Sequence, residues 1–331
     1  MRNLLIMLLL IGQFLIGLVL IIKGADWLTD GASTIARIFN ISNLVIGLTV
    51  VALGTSAPEL VVSVISAING QTDMAIGNVV GSNIFNTLAI IGITALICPV
   101  ACTKGNVRYD VPFCLLASIV LFAMANDTLF GGSADVISRS DGIVLLCFMA
   151  IFLAYSITIG LHSRNPEAKE NPVDKSAKSI LKAVGLFLIG LACLIFGGNW
   201  LVDGASGIAL KLGVSQGVIA LTIVAAGTSA PELVTSIVAA RKGNTDMALG
   251  NAVGSNIFNI FFILGIASTI SPLQRGNIAL TDFLTLLVSA VLIWIFCRFG
   301  KKRLYITRWE GGILTACALL YYVFAVVTAT V

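Results

Sequence analysis

The sequence predicts an all-α integral membrane protein of ten transmembrane helices, built as two inverted five-helix repeats. Three observations lead there. Of 331 residues, 58% are hydrophobic and only 11% are charged, against about 25% charged in a soluble globular domain. The apolar residues fall in long runs, such as Leu4 to Ile22, Val111 to Ala125 and Ile143 to Ile159, and about 20 such residues in a helix match the hydrocarbon thickness of a bilayer. Finally, the stretch from Gly54 to Asn86 recurs from Gly227 to Asn259 at a constant offset of 173, with 24 of its 33 positions identical.

Helices are favoured over a β-barrel because each helical span pairs its own backbone groups, and the apolar runs do not alternate as barrel strands do. Breaks in hydrophobicity place spans near 4–34, 43–68, 73–98, 109–126, 141–160, 179–209, 216–240, 246–271, 278–298 and 308–329. The first repeat then covers 1–160, a polar linker 161–178, and the second repeat 179–331. The apolar start resembles a signal peptide, but Gly12, Phe14 and Gly17 match Gly185, Phe187 and Gly190 at the same offset. It therefore belongs to the repeat.

Five spans per repeat is an odd number, so equivalent helices cross in opposite directions. Charge sets the orientation. With the N-terminus outside, the inner loops and helix ends carry Arg37, Lys104, Arg108, Arg164, Lys169, Lys175, Lys178, Lys182, Arg241, Lys242, Arg298, Lys301, Lys302, Arg303 and Arg308, and the outer ones only Arg2, Arg139, Lys211 and Arg275. That fifteen-to-four bias puts both termini outside and the linker in the cytoplasm of a multi-pass cell-membrane protein. Lys23 lies within the first span and can snorkel. The net charge of +4 reflects this placement and is no signal for nucleic acid. The seven cysteines are scattered, with no C-x-x-C pair, and read as small buried apolar side chains.

The repeated stretch holds the costliest residues of the chain. Thr55, Ser56, Glu59 and Ser63 share one helical face by their spacing. Pro58 interrupts that helix and frees carbonyls near Gly54 and Thr55 beside the Glu59 carboxylate. In the third span Asn78, Ser82 and Asn86 recur every four residues as a polar stripe, and Gly77 and Gly81 permit close helix approach. The second half repeats this with Thr228, Ser229, Pro231, Glu232, Ser236, Asn251, Ser255 and Asn259. An ionised acid at mid-membrane costs a few kcal/mol at least and marks a functional site. No intramembrane Arg or Lys occupies either motif as an obvious partner, so the partner is most simply a mobile cation. Every donor is a hard oxygen, which suits Ca²⁺, could also suit Na⁺, and argues against zinc or copper. Ser63, Ser236, Asn78 and Asn251 read equally as helix-to-helix glue, and Asp73 and Asp246 as helix N-caps.

The pair GTSAPE…GNVVGSNIFN and GTSAPE…GNAVGSNIFN resembles the paired α-repeats of the sodium/calcium exchangers, within the cation/Ca²⁺ antiporter superfamily. The resemblance covers essentially the whole chain. It implies that Glu59 and Glu232 bind the ions. Thr55, Ser56, Ser82, Thr228, Ser229 and Ser255 would add side-chain oxygens, and Ala52, Thr55, Ala225 and Thr228 backbone carbonyls. It also implies that the first and sixth helices slide over a core of the other eight to alternate access. Asn86 and Asn259 stand where some members carry Asp, which removes a charge from the centre of the site. The expected activity is electrogenic Na⁺/Ca²⁺ antiport with no tightly bound cofactor, the transported ions and the bilayer being the partners. H⁺/Ca²⁺ antiport on the same scaffold is the alternative. A channel is disfavoured because one chain supplies both halves and its acids lie on kinked helices rather than on filter loops repeated between subunits. An enzyme is disfavoured because the sole histidine, His162, lies in the linker.

Overall fold

The computed structural model describes residues 2–162, 176–212, 225–300 and 302–330. The first half comprises α1 (Arg2–Phe39), a broken α2 (Asn43–Thr55 and Ala57–Ile68), α3 (Thr72–Ile97), α4 (Asn106–Ala125) and α5 (Arg139–His162). The second half comprises α6 (Ala177–Lys211), the described part of α7 (Ala225–Thr228 and Ala230–Arg241), α8 (Thr245–Ile270), α9 (Leu280–Phe299) and α10 (Arg308–Thr330). Among the described residues, eight single helices are long and apolar enough to cross a membrane, and the bent α2 makes nine. The predicted span 216–240 begins outside the described residues, as does most of the predicted linker 161–178.

α1 and α6 are the longest helices, at 38 and 35 residues. At 1.5 Å per residue, α1 runs about 57 Å, nearly twice the hydrocarbon thickness and long enough to span it at a tilt. The two pack antiparallel through glycines at a spacing of seven, Gly17, Gly24 and Gly31 against Gly190, Gly197 and Gly204. A methyl group added at Gly24 would sit 2.8 Å from the Gly190 carbonyl oxygen, and one at Gly31 2.6 Å from the Phe187 nitrogen. Backbones therefore touch where no side chain intervenes, the packing mode that replaces hydrophobic drive inside lipid.

Burial separates a centre from a periphery. The most apolar 18-residue stretch is 72% buried in α3 and 78% in α8, but only 11% in α1 and 28% in α6. α3 and α8 form the middle of the bundle, packed with α2, α4, α5, α9 and α10 around one continuous core that includes Ile84, Phe152, Ile257, Phe261 and Phe283. α1 and α6 pack against α2, α7 and α8 through a second, smaller core that includes Leu28, Leu194, Val51, Ala239 and Met247. Lipid-facing side chains of α1 such as Leu8, Leu9 and Val19 stay exposed to the bilayer.

Two antiparallel two-stranded ribbons tie the halves together reciprocally. β1 (Val100–Ala101), which follows α3, pairs with β4 (Tyr305–Ile306), which precedes α10. β2 (Val136–Ile137), which precedes α5, pairs with β3 (Leu273–Gln274), which follows α8. Thr72 and Thr245 begin α3 and α8, so Asp73 and Asp246 sit inside the first turn rather than at the cap position itself. Each accepts from the next backbone N–H.

A candidate ion-binding site between the repeats

The break in α2 falls at Ser56 (φ −82°, ψ 9°) and bends the helix by 47°. Its counterpart in α7 falls at Ser229 (φ −91°, ψ 8°). Pro58 and Pro231 stand in the first turn of the segments that follow, where a missing N–H costs nothing because no carbonyl waits for it. Glu59 and Glu232 occupy the same first turns, each only 1% exposed. The positive end of a helix dipole favours an anion there.

The two acids interlock across the repeats. Ser56 Oγ donates to Glu232 Oε1 at 3.0 Å, and Ser229 Oγ donates to Glu59 Oε1 at 3.2 Å. The Ser82 hydroxyl also faces Glu59, the Thr55 hydroxyl faces Glu232, and the carboxylates are close enough to repel. On each side a stripe asparagine holds the backbone of the acid. Asn78 Nδ2 reaches the Glu59 carbonyl at 3.3 Å and Ser63 Oγ at 2.9 Å. Asn251 Nδ2 reaches the Glu232 carbonyl at 3.3 Å and Ser236 Oγ at 3.1 Å. Thr55 Oγ1 is hydrogen-bonded to Asn251 Oδ1 at 3.2 Å and to the Ala52 carbonyl at 3.3 Å. Thus Asn78, Asn251, Ser63 and Ser236 brace the Pro-Glu segments.

After these bonds are made, several buried oxygens have no hydrogen-bond partner among the described residues: Glu59 Oε2, Glu232 Oε2, Asn86 Oδ1, Asn259 Oδ1 and Ser255 Oγ. An unpaired buried polar atom costs about 1–3 kcal/mol, more when charged. Five of them on the residues of the repeated motif therefore call for a ligand. They are all hard donors, and a set of this type fits an alkali or alkaline-earth cation. Among the described residues no cluster of three or more His, Cys, Asp or Glu occurs.

The residues singled out in the sequence thus gather between α2, α3, α7 and α8. The Ala52 carbonyl is at the break, accepting from the Ser56 N–H at 3.0 Å. Ala225 opens the described part of α7, with Thr228 three residues on. Asn86 and Asn259 lie in wide π-helical turns, Phe85–Ile90 and Phe258–Leu264, at matching points of α3 and α8. Such turns cluster at functional sites. Sequence reasoning missed Asn83, Thr87 and Asn256, which bridge α3 and α8: Asn83 Nδ2 donates to the Asn256 carbonyl at 3.1 Å and Asn256 Nδ2 to Thr87 Oγ1 at 2.7 Å. Their repetition at offset 173 was visible for Asn83 and Asn256; their partners were not.

Comparison with known proteins agrees with this geometry. The profile of the family described as sodium/calcium exchanger protein matches residues 9–158 and again 182–329. Sodium/calcium exchanger MaX1 of Methanosarcina acetivorans is 33% identical over 342 aligned positions, covering 95% of this chain and 96% of that protein. Inner membrane protein YrbG of Escherichia coli is 35% identical over 326, covering 96% and 98%. The structure of the sodium-calcium exchanger NCX_Mj soaked with 10 mM Na⁺ and zero Ca²⁺ superposes with a TM-score of 0.82 at 34% identity, over 97% of this chain and 99% of that one. By its two-part motif, its architecture and these matches along nearly its full length, the chain belongs to the sodium/calcium exchanger family.

Proposed function

We propose that this chain exchanges Na⁺ for Ca²⁺ across the membrane through one shared site. The site comprises the Glu59 and Glu232 carboxylates, the hydroxyls of Thr55, Ser56, Ser82, Thr228, Ser229 and Ser255, the amide oxygens of Asn86 and Asn259, and the carbonyls of Ala52 and Ala225. The observation that carries this is the set of unpartnered buried oxygens, two of them on carboxylates. Empty, the site holds two charges without compensation, and crossing the membrane in that state is costly. One Ca²⁺ or several Na⁺ neutralises it. Exchange rather than leak follows, because only a loaded site can switch sides.

The chain divides into a first repeat over 1–160, a linker at 161–178 and an inverted second repeat over 179–331, and the moving body is α1 with α6, one helix from each repeat, over the other eight. The glycine-lined α1–α6 pair, whose backbones touch directly, suits a body that shifts as a unit relative to the central helices. Both termini face outward and the linker inward. Impermeant thiol labelling of single cysteines on intact cells checks this: a cysteine at Asn69 should react and one in the linker should not, and the reverse pattern overturns the orientation. Exchange of three Na⁺ per Ca²⁺ makes the cycle electrogenic, moving one net charge, so an inside-negative potential should assist calcium extrusion.

The decisive test is calcium flux into proteoliposomes with sodium and pH gradients imposed separately. Sodium-driven flux at fixed pH supports the proposal. Flux driven by a pH gradient alone, without sodium, replaces it with proton exchange.

A further inference from the structure

The four asparagines at the crossing of α3 and α8 form two mirror pairs under the 173-residue offset: Asn83 with Asn256, and Asn86 with Asn259. All four are at most 2% exposed. Two-fold symmetry would give two equivalent cross-bonds, Asn259 to Asn83 and Asn86 to Asn256. The structure makes one. Asn259 Nδ2 donates to Asn83 Oδ1 at 2.9 Å, which leaves Asn259 Oδ1 unpaired among the ion-site oxygens. The mirror acceptor, Asn256 Oδ1, is buried with no partner among the described residues.

The sequence shows what breaks the symmetry. Thr87 corresponds to Ile260, which has no hydroxyl. Thr87 Oγ1 donates to the Asn83 carbonyl at 2.7 Å and accepts from Asn256 Nδ2 at 2.7 Å. It anchors the Asn256 amide in an orientation that the other repeat has no hydroxyl to copy.

We propose that Asn83 and Asn256 are positioning residues of the ion site, and that the Asn259-to-Asn83 bond is exchanged for its mirror, Asn86-to-Asn256, when the site opens to the opposite face. Each bond holds one carboxamide so that its oxygen is presented to the ion, and only one forms at a time. An inverted repeat reaches its second state by exchanging the conformations of its halves, and the orphaned Asn256 oxygen is the acceptor that the second state requires. Thr87 favours the arrangement seen here. The inference rests on the exchange reading above and adds to it two residues and a direction of bias.

The test reads sidedness. Apparent affinity on one face scales with the population of the state open to that face. A variant that weakens one state therefore raises the calcium KM on one face and lowers it on the other, whereas a merely structural defect alters both alike. Calcium KM is measured from each face in right-side-out and inside-out membrane vesicles. Asn83→Leu should move the ratio of the two KM values by about fivefold, the worth of one hydrogen bond; Asn256→Leu, which loses its Thr87 bond in this state and the acceptor of the other, should move it less. Thr87→Val, nearly isosteric, should move it the same way as Asn83→Leu, and carries the test alone if either leucine variant fails to fold. A ratio unchanged in Thr87→Val, or a larger shift in Asn256→Leu than in Asn83→Leu, overturns the proposal. Glu59→Gln separates the two levels of inference: if it abolishes flux while the ratios stay fixed, only the asparagine exchange is wrong. If it exchanges normally, the shared site is wrong.

Discussion

Replacing Glu232 by Gln isolates the charge of the site from its shape. The substitution keeps an oxygen to accept from Ser56 Oγ, 3.0 Å from Oε1, but turns the unpartnered Oε2 into an amide that cannot ligate a cation. A calcium ion about 2.4 Å from a carboxylate oxygen is attracted by about 14 kcal/mol at an effective dielectric of 20, and dehydration of both ions offsets most of this. Removing one member of a buried charge pair costs about 3–5 kcal/mol net, which is roughly 100- to 4000-fold in affinity. Without calcium the variant should be as stable as the wild type or more so, since one of two mutually repelling buried charges is gone. The assay is thermal unfolding of the purified protein with and without calcium. Wild type gains stability as calcium rises above its dissociation constant, while Glu232→Gln should unfold at the wild-type calcium-free temperature or higher and show no gain. Glu59→Gln should behave alike, because Ser229 serves it in the same way. A calcium-induced shift of wild-type size in either variant would refute the two-carboxylate site.

Gly24→Leu should leave helix content intact by circular dichroism and abolish flux, because even a methyl group there meets the Gly190 carbonyl oxygen at 2.8 Å; normal flux would show that α1 and α6 need not approach so closely. Lys242 Nζ lies 3.2 Å from Asp26 Oδ1 and 2.9 Å from Asp30 Oδ1, tying the α7–α8 turn to α1 with all three side chains partly exposed. Lys242→Ala should therefore cost at most about 1 kcal/mol, with the difference from wild type shrinking in high salt; a large salt-independent loss in thermal unfolding would contradict this. Outside the membrane, Asp135 is held below its ordinary value of 3.8 by the Thr128 backbone N–H first, then by the Thr128 hydroxyl and by Arg275. A depressed folded value contributes stability that is complete above the unfolded pKa and is lost as pH falls through the folded one. Asp135→Asn should thus unfold at a lower temperature than wild type at neutral pH and converge with it in strong acid; a gap that widens on acidification would reverse the sign.

Much of this site was legible in the sequence because the bilayer makes polar residues expensive. Glu59 and Glu232 stood out as duplicated acids in apolar runs, and Pro58 and Pro231 foretold the breaks that the structure places at Ser56 and Ser229. The hydroxyl and amide stripes followed from helical spacing. The π-helical turns at Asn86 and Asn259 left no such mark, since one extra residue in a helical turn changes no residue type. Partner choice was equally hidden. The seven-residue glycine spacing is present in the sequence, but nothing in it says that Gly24 faces Gly190 rather than another helix. Lys242 read as part of an inside charge bias, and its attachment to Asp26 and Asp30, more than 200 residues away in sequence, needed coordinates. Asn83 and Asn256 drew no attention in the sequence, and only the structure shows that Asn256 Oδ1 lacks a partner among the described residues.

The claim that one set of oxygens serves both ions is tested most directly by competition. Initial calcium flux is measured in proteoliposomes over a range of calcium concentrations, with sodium stepped upward on the same face. If Glu59 and Glu232 are shared, sodium should raise the calcium KM progressively while saturating calcium restores the full rate. A maximal rate that falls with sodium at unchanged KM would place sodium at a separate site and contradict the shared one.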